Sequence, residues 1–187
     1  MEKFKNAYKI AENSIPVTAE IISAYKDKVP EMLLDLWRSD GFGKYNKGTI
    51  ELINPKEYEP VLWTWLGREV ENYVPFAITG FGELFYYRKL TETDEDVCII
   101  DIQFRNIETL NWSLESFFED SLPEEEFREY WLREELFKNA IKEQGELANN
   151  EIFTFTPVLG MGGAEEIQYL KKGNAQVYQE LVFQMTM

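Results

Sequence analysis

Three glycine clusters punctuate this chain: Gly41-Phe42-Gly43, Gly80-Phe81-Gly82 and Gly160-Met161-Gly162-Gly163. Glycine admits left-handed backbone and the close approach of other groups, so each cluster is either a corner of the fold or a backbone cradle for a ligand. The second lies within VPFAITGFGELFYY, Val74 to Tyr87, where an apolar run gives way to an aromatic one. A dinucleotide cradle needs a third glycine, a helix after the turn and an acid about 20 residues on. Glu83-Leu84-Phe85-Tyr86-Tyr87 reads instead as a strand, so the spacing predicts a strand–turn–strand corner. Gly41 is placed to stop a helix. Gly160 to Gly163 is the better ligand candidate, because a helical pattern starts at Ala164. Glu165 and Glu166 in its first turn would oppose an anion there. All seven glycines Gly41, Gly43, Gly80, Gly82, Gly160, Gly162 and Gly163 are therefore expected as structural turns.

Between these corners the periodicity switches. Thr18 caps a helical pattern with Ile21, Ile22 and Tyr25 on one face. Pro30 opens a second, carrying Met32, Leu33, Leu36 and Trp37. Thr49 to Ile53 reads as a strand, after a turn at Asn46 to Gly48. Asn54-Pro55 then starts a helix with Tyr58, Val61, Leu62 and Trp65 at helical spacing, ending at Gly67. Val74–Thr79, Leu84–Tyr87 and Val97–Phe104 are rich in β-branched and aromatic residues and read as strands. From Ser113 the pattern is mostly helical. Ser121-Leu122-Pro123-Glu124 suggests a capping box, and Glu134 on an apolar face argues for a break near Arg133. Ile152 to Thr156 reads as extended and Ala164 to Lys172 as a short helix ending at Gly173. Val177 to Met185 suits helix or strand. The whole is an α+β pattern: an antiparallel or mixed sheet flanked by helices, with a mostly helical C-terminal half.

The 187 residues contain no histidine and one cysteine. That excludes Ser-His-Asp and Cys-His catalysis and zinc sites of the Cys/His type. Cys98 sits in an apolar strand and reads as a buried, inert thiol. Trp65 reads as core, while Trp63 beside it could serve a binding platform. No apolar run approaches the roughly 20 residues of a membrane span, and the N-terminus lacks an apolar signal core. The expectation is a soluble cytoplasmic protein of one compact unit, with no cofactor and no metal.

Charge is concentrated. The net charge is −15, and Thr91 to Glu135 holds 15 acidic residues against Arg105, Arg128 and Arg133, or −12 of that total. Such a surface repels nucleic acid and attracts a basic protein. The same residues would also suit a plain solvated face. The expected partner-binding residues are Glu92, Asp94, Glu95 and Asp96 in a loop, and Glu119, Asp120, Glu124, Glu125 and Glu126 around the capping box. They are expected to be exposed, since unpaired buried carboxylates are costly. Two alternatives remain open. The pairs Asp94/Asp96, Glu119/Asp120 and Glu125/Glu129 could serve a carboxylate-dependent, metal-assisted hydrolase, or the Gly160–Gly163 loop could serve a small-ligand regulatory module.

Three stretches together resemble a known family. VPEMLLDLWRSDGFGKYNKGTIELINPKEY resembles the opening signature of GAD-like domains: a proline-started helix, Gly-Phe-Gly, a strand, then Asn-Pro. VPFAITGFGELFYY resembles that family's next signature. IFTFTPVLGMGGAEEIQYLKK resembles the C-terminal signature of type VI secretion immunity proteins, with Met161 departing from the usual Leu-Gly-Gly. The likeness runs from about Pro16 to the end, and the helical middle, Asn106 to Leu147, matches only in pattern. The helix and glycine turn also resemble the SUKH immunity superfamily. The resemblance implies a GAD-like region over residues 1–105 and an immunity-type region over 106–187. It implies a non-enzymatic antitoxin that binds a basic DNase effector, and it brings no catalytic residue with it.

Overall fold

The computed structural model describes residues 1–11 and 14–185. Chain order runs α1 (Glu2–Ala7), α2 (Ala19–Tyr25), α3 (Glu31–Asp40), β1 (Gly43–Tyr45), β2 (Ile50–Leu52), α4 (Pro55–Leu66), β3 (Tyr73–Thr79), β4 (Leu84–Lys89), β5 (Glu95–Asp101) and β6 (Asn106–Asn111). Then follow α5 (Leu114–Ser116), α6 (Glu125–Tyr130), α7 (Glu134–Gln144), β7 (Glu151–Phe155), β8 (Leu170–Asn174) and α8 (Ala175–Met185). Strands β1 to β6 form one antiparallel meander in sequence order, and β7 and β8 form a separate hairpin.

Side chains alternate across the large sheet, and both faces are covered. Phe85, Tyr87, Val97 and Ile99 point to a layer containing Phe4, Leu33, Trp37, Phe117 and Phe118. Leu84, Tyr86, Cys98 and Ile100 point the other way, toward Tyr58, Leu62, Tyr178 and Val182 of α4 and α8. A strand buried on both faces must be apolar throughout, which is why β3 to β5 carry long hydrophobic runs. A register shift between Pro75 and Ala77 keeps Phe76 and Ala77 on one side and returns Ile78 to the other. Thr18 caps α2 and Asn54 caps α4 with Pro55 in its first turn, as the sequence predicts. Gly41 closes α3 at φ 78°.

Three local expectations are corrected. Ala164–Lys172 is not a helix: Ile167–Tyr169 makes one 3-10 turn and Leu170 begins β8, pairing with Phe155. Pairing that covers Phe153 and Phe155 outweighs the local helical pattern. The capping box does not form. Glu124 is the N-cap of α6 without a side-chain bond, and Ser121 ends a π-helical turn over Phe117–Ser121. Burial of Phe117, Phe118 and Leu122 dictates that wider turn, and Ser121 Oγ accepts from Asn111 Nδ2 at 3.0 Å instead. Residues 106–111, within the stretch read as helical in pattern, form the sixth strand, which pairs with β5. The ambiguous C-terminal stretch is the helix α8.

The Gly80-Phe81-Gly82 corner is the joint of the molecule. A side chain on Gly80 would stand 2.2 Å from the Phe137 ring of α7. Phe81 is fully buried among Phe137, Phe153 and Phe155. Gly80 O accepts from Phe153 N at 2.8 Å and Gly82 O from Gln179 Nε2 at 2.8 Å. Glu83, fully buried, accepts from Arg133 Nη1 at 2.9 Å and from the Thr79 hydroxyl. Arg133 holds the break between α6 and α7 at φ 46°, as the sequence suggests, and lies over the rings of Phe81 and Phe155. Its Nε donates to Glu165 at 2.8 Å. Burial pushes the Glu83 carboxyl up, and Arg133 opposes that. Arg133→Ala leaves the buried carboxylate uncompensated and is expected to cost about 3–5 kcal/mol. Urea denaturation checks this, and a loss below about 1 kcal/mol would remove the ion pair from the joint's energetics.

Candidate interaction surface

The structure sorts the acidic residues into free and committed ones. Glu92 and Asp94 are exposed at the tip of the β4–β5 turn, with Glu92 on Lys89 at 3.0 Å and Asp94 accepting from the Thr91 hydroxyl at 2.8 Å. Glu95 and Asp96 are not loop residues but open β5. Glu95 accepts from the Tyr87 hydroxyl at 2.8 Å and from Leu114 N at 2.9 Å, so it ties α5 to the sheet. Asp96 is fully buried rather than exposed. It receives Arg88 through two nitrogens, at 2.6 and 2.5 Å. The reason is register: Asp96 pairs across the ladder with Arg88, on the side of Cys98.

Glu119 and Asp120 face α1. The terminal amine of Met1 lies 3.2 Å from Glu119, and Lys3 lies 2.9 Å from Asp120. Glu124, Glu125 and Glu126 stand exposed at the start of α6. The pairs singled out for metal chemistry do not converge: Asp96 turns to Arg88 while Asp94 turns to Thr91. Among the described residues, no group of three or more histidine, cysteine or acidic side chains could hold a metal ion. Cys98 is buried as expected, and burial pushes its thiol up. Trp65 packs on Phe183 in the core.

Two glycines of the third cluster meet backbone, while Gly162 takes φ 91° with open space beside it. A side chain on Gly160 would lie 2.5 Å from Gln103 O, and one on Gly163 would lie 2.1 Å from Pro157 O. They let the loop lie flat on the sheet's end.

Sequence reasoning missed Trp112. It lies just past the outer strand β6 and is 74% exposed. With Leu90, also exposed, it borders a depression of about 460 Å³ completed by Thr91, Thr93, Asp94 and Glu95. The signal was present: a tryptophan in Asn-Trp-Ser, outside any apolar run, has no core to enter. The depression sits at the end of the β5–β6 edge, and β6 presents its outer side to solvent, with Asn106 to Thr109 exposed. A second exposed apolar stripe runs along α8 through Val177, Leu181 and Met185. It carries no acidic rim of this kind.

Comparison with known proteins fits this architecture. Residues 1–100 match the GAD-like domain, and residues 111–186 match the C-terminal domain of the type VI secretion immunity protein Tdi1. The chain belongs to the GAD-like family. Its second part carries the immunity-protein domain. The two matches leave residues 101–110 between them, from the end of β5 through most of β6. The crystal structure of Atu4351 from Agrobacterium tumefaciens has the same fold, with a TM-score of 0.74 over 98% of this chain and 88% of that one, at 18% identity. No curated protein matches the chain. Among the described residues no helix is long and apolar enough to cross a membrane.

Asp96→Asn tests whether the acidic stretch is partly structural. It removes a charge-assisted pair and is expected to cost about 1.5–3 kcal/mol in denaturant unfolding. Asp94→Asn, at an exposed turn, is expected to stay within about 0.5 kcal/mol of the wild type.

Proposed function

We propose that this chain is a cytoplasmic immunity protein that binds and neutralises a cognate type VI effector, a DNase with a basic surface, without catalysis of its own. The observation that carries the reading is the match of the C-terminal part to an immunity-protein domain, set behind a GAD-like domain. A nuclease grips phosphates with lysine and arginine, and an acidic protein can occupy that groove. Trp112 and Leu90 beside Asp94 and Glu92 have the anatomy of such a contact: an aromatic anchor with a charged rim. Glu124, Glu125 and Glu126 extend the negative field without taking part in folding contacts of their own side chains. Glu95, Asp96 and Glu119 serve the fold and Asp120 pairs with Lys3, so the proposed binding role narrows to Glu92, Asp94 and Glu124–Glu126.

Two measurements test the reading. Cells expressing the toxin encoded next to this gene should survive when this chain is co-expressed, and failure of protection would end the immunity reading. Trp112→Ala is expected to weaken the purified complex about tenfold or more, mainly through faster dissociation. Replacing Glu124, Glu125 and Glu126 by Gln should slow association several-fold at low salt, with an unchanged melting temperature. An unchanged association rate would leave those three acids a solvated face only.

A further inference from the structure

The two edges of the large sheet are finished differently. Strand β1, at one end of the meander, is covered by the chain ahead of α2. Ala11 N donates to Lys44 O at 2.8 Å, and Ile15 and Phe42 exchange both backbone bonds, at 2.6 and 2.8 Å. Strand β6, at the other end, has β5 on one side and, among the described residues, no strand on the other. Asn106 to Thr109 are exposed there. The amide of Ile107 shows which groups face outward, because it donates to the side chain of its own neighbour, Asn106 Oδ1, at 2.9 Å. In an antiparallel ladder successive residues turn their backbone groups to alternate sides. Ile107 and Thr109 therefore present N–H and C=O to solvent, while Asn106 and Glu108 bond to β5. A register shift facing Val97 and Cys98 ends the run by turning Leu110 toward the Phe117 layer.

An unpaired edge is a template for another strand, and sheets blunt it with cover, charge or a bulge. At β6 the bulge leaves Asn106 to Thr109 free, and Glu108 is the strand's one charge. The edge also carries exposed carbon: Phe104 and Ile107 are 57% and 43% exposed, and Trp112 stands at the far end. Alternation sorts these groups. Ile107 lies opposite Ile100, on the α4–α8 face, and Glu108 lies opposite Ile99, on the other. A strand laid along β6 meets carbon on one face and a carboxylate on the other. The surrounding charges are Glu92 and Asp94 at the Trp112 end, against Arg105 at the strand's start, which lies over the Phe183 ring. We propose that the β6 edge is a strand-addition site for one extended segment of a partner protein, apolar on one face and carrying a lysine or arginine beside Glu108 on the other. The proposal rests on the immunity reading for the partner, the toxin, and adds how it is held. A second copy of this chain fits worse. It brings another net charge of −15, and the register that overlaps Asn106 to Leu110 sets Glu108 opposite its own copy.

The test uses the full chain and the purified toxin encoded next to this gene. Amide exchange is followed by NMR in the free chain and in the complex. The Ile107 and Thr109 amides are expected to exchange about tenfold or more slowly in the complex. Ile107→Pro removes an outward donor and no bond to β5, a change that edge strands tolerate. It is expected to weaken the complex about tenfold or more, Ile107→Ala less than about threefold and Glu108→Lys about fivefold. Melting temperatures check the folding of each variant, and if Ile107→Pro unfolds, exchange in the wild type decides. Unchanged exchange at both amides in a complex that forms would overturn strand addition, as would equal losses in Ile107→Pro and Ile107→Ala. An unchanged affinity in Glu108→Lys would overturn the basic character of the added strand. Slow exchange of the same amides in the concentrated free chain would give the edge to a second copy instead. Each of these results leaves the immunity reading standing, whereas a wild-type chain that neither binds the toxin nor protects cells ends both.

Discussion

The buried pairing of Glu83 with Arg133 is the constraint on which the arrangement of the two parts depends. A carboxylate fully removed from water needs a counter-charge, and no arginine in the N-terminal sheet supplies one here. Arg133 comes from the break between α6 and α7 and reaches the corner after β3. To do so it takes a left-handed backbone and lies over the stacked rings of Phe81 and Phe155. Everything nearby is then fixed. Phe81 enters a cluster of C-terminal aromatics, α7 lies against Gly80, and Glu165 brings the glycine loop to the same guanidinium. Tyr178 of α8 closes the set by bonding both backbone groups of Phe155, at 3.1 and 3.2 Å. A family boundary in the sequence is thus no mechanical boundary in the molecule.

The same accounting explains where the negative charge goes. Of the acids concentrated between residues 91 and 135, several are consumed by structure: Asp96 by Arg88, Glu95 by Tyr87 and Leu114 N, Glu134 at the start of α7 by Arg128 and Lys138. Glu92 and Asp94 at the β4–β5 turn and Glu124 to Glu126 at the start of α6 remain exposed. A net charge read along the sequence therefore overstates the field available to a partner. What remains is smaller but better placed, because Glu92 and Asp94 share their turn with Leu90, and Asp94 lines the depression beside Trp112.

Legibility followed burial. The strands β3, β4 and β5 were readable because both faces are buried and the residues are apolar throughout. The caps Thr18 and Asn54 were readable because local chemistry decides them. β6 was not, because Asn106-Ile107-Glu108-Thr109 is a solvated edge whose only reason to be a strand is the partner β5. β8 was hidden for the same reason, since Leu170 to Asn174 is specified by Phe153 and Phe155 rather than by its own residues. In the candidate sites, the acid-rich loop was visible and its split between Asp94 and Asp96 was not. That split depends on cross-strand register, which needs the neighbouring strand. Lys44 and Glu51 drew no notice, because each looks like an ordinary strand charge until α4 and the 147–150 segment enclose them.

That last point bears on how two concavities of the fold relate. The Trp112 depression belongs to the sheet's β5–β6 edge, and a cavity lined by Lys44 and Glu51 to its β1–β2 edge, so the strand order puts them at opposite ends of one meander. Both lie where the GAD-like sheet meets the immunity-type segment, one at Trp112 before α5 and one at Leu147 to Asn150 before β7. A seam between two regions leaves concavities that a single core would fill with side chains, and seams are where pockets gather. At the β5–β6 end the concavity is shallow and rimmed by free acids, which fits a broad protein contact. At the β1–β2 end the concavity holds the largely buried Lys44 and Glu51, 4.0 Å apart and less screened than surface charges. One joint, tied by Glu83 and Arg133, thus leaves a concavity at each end of the meander.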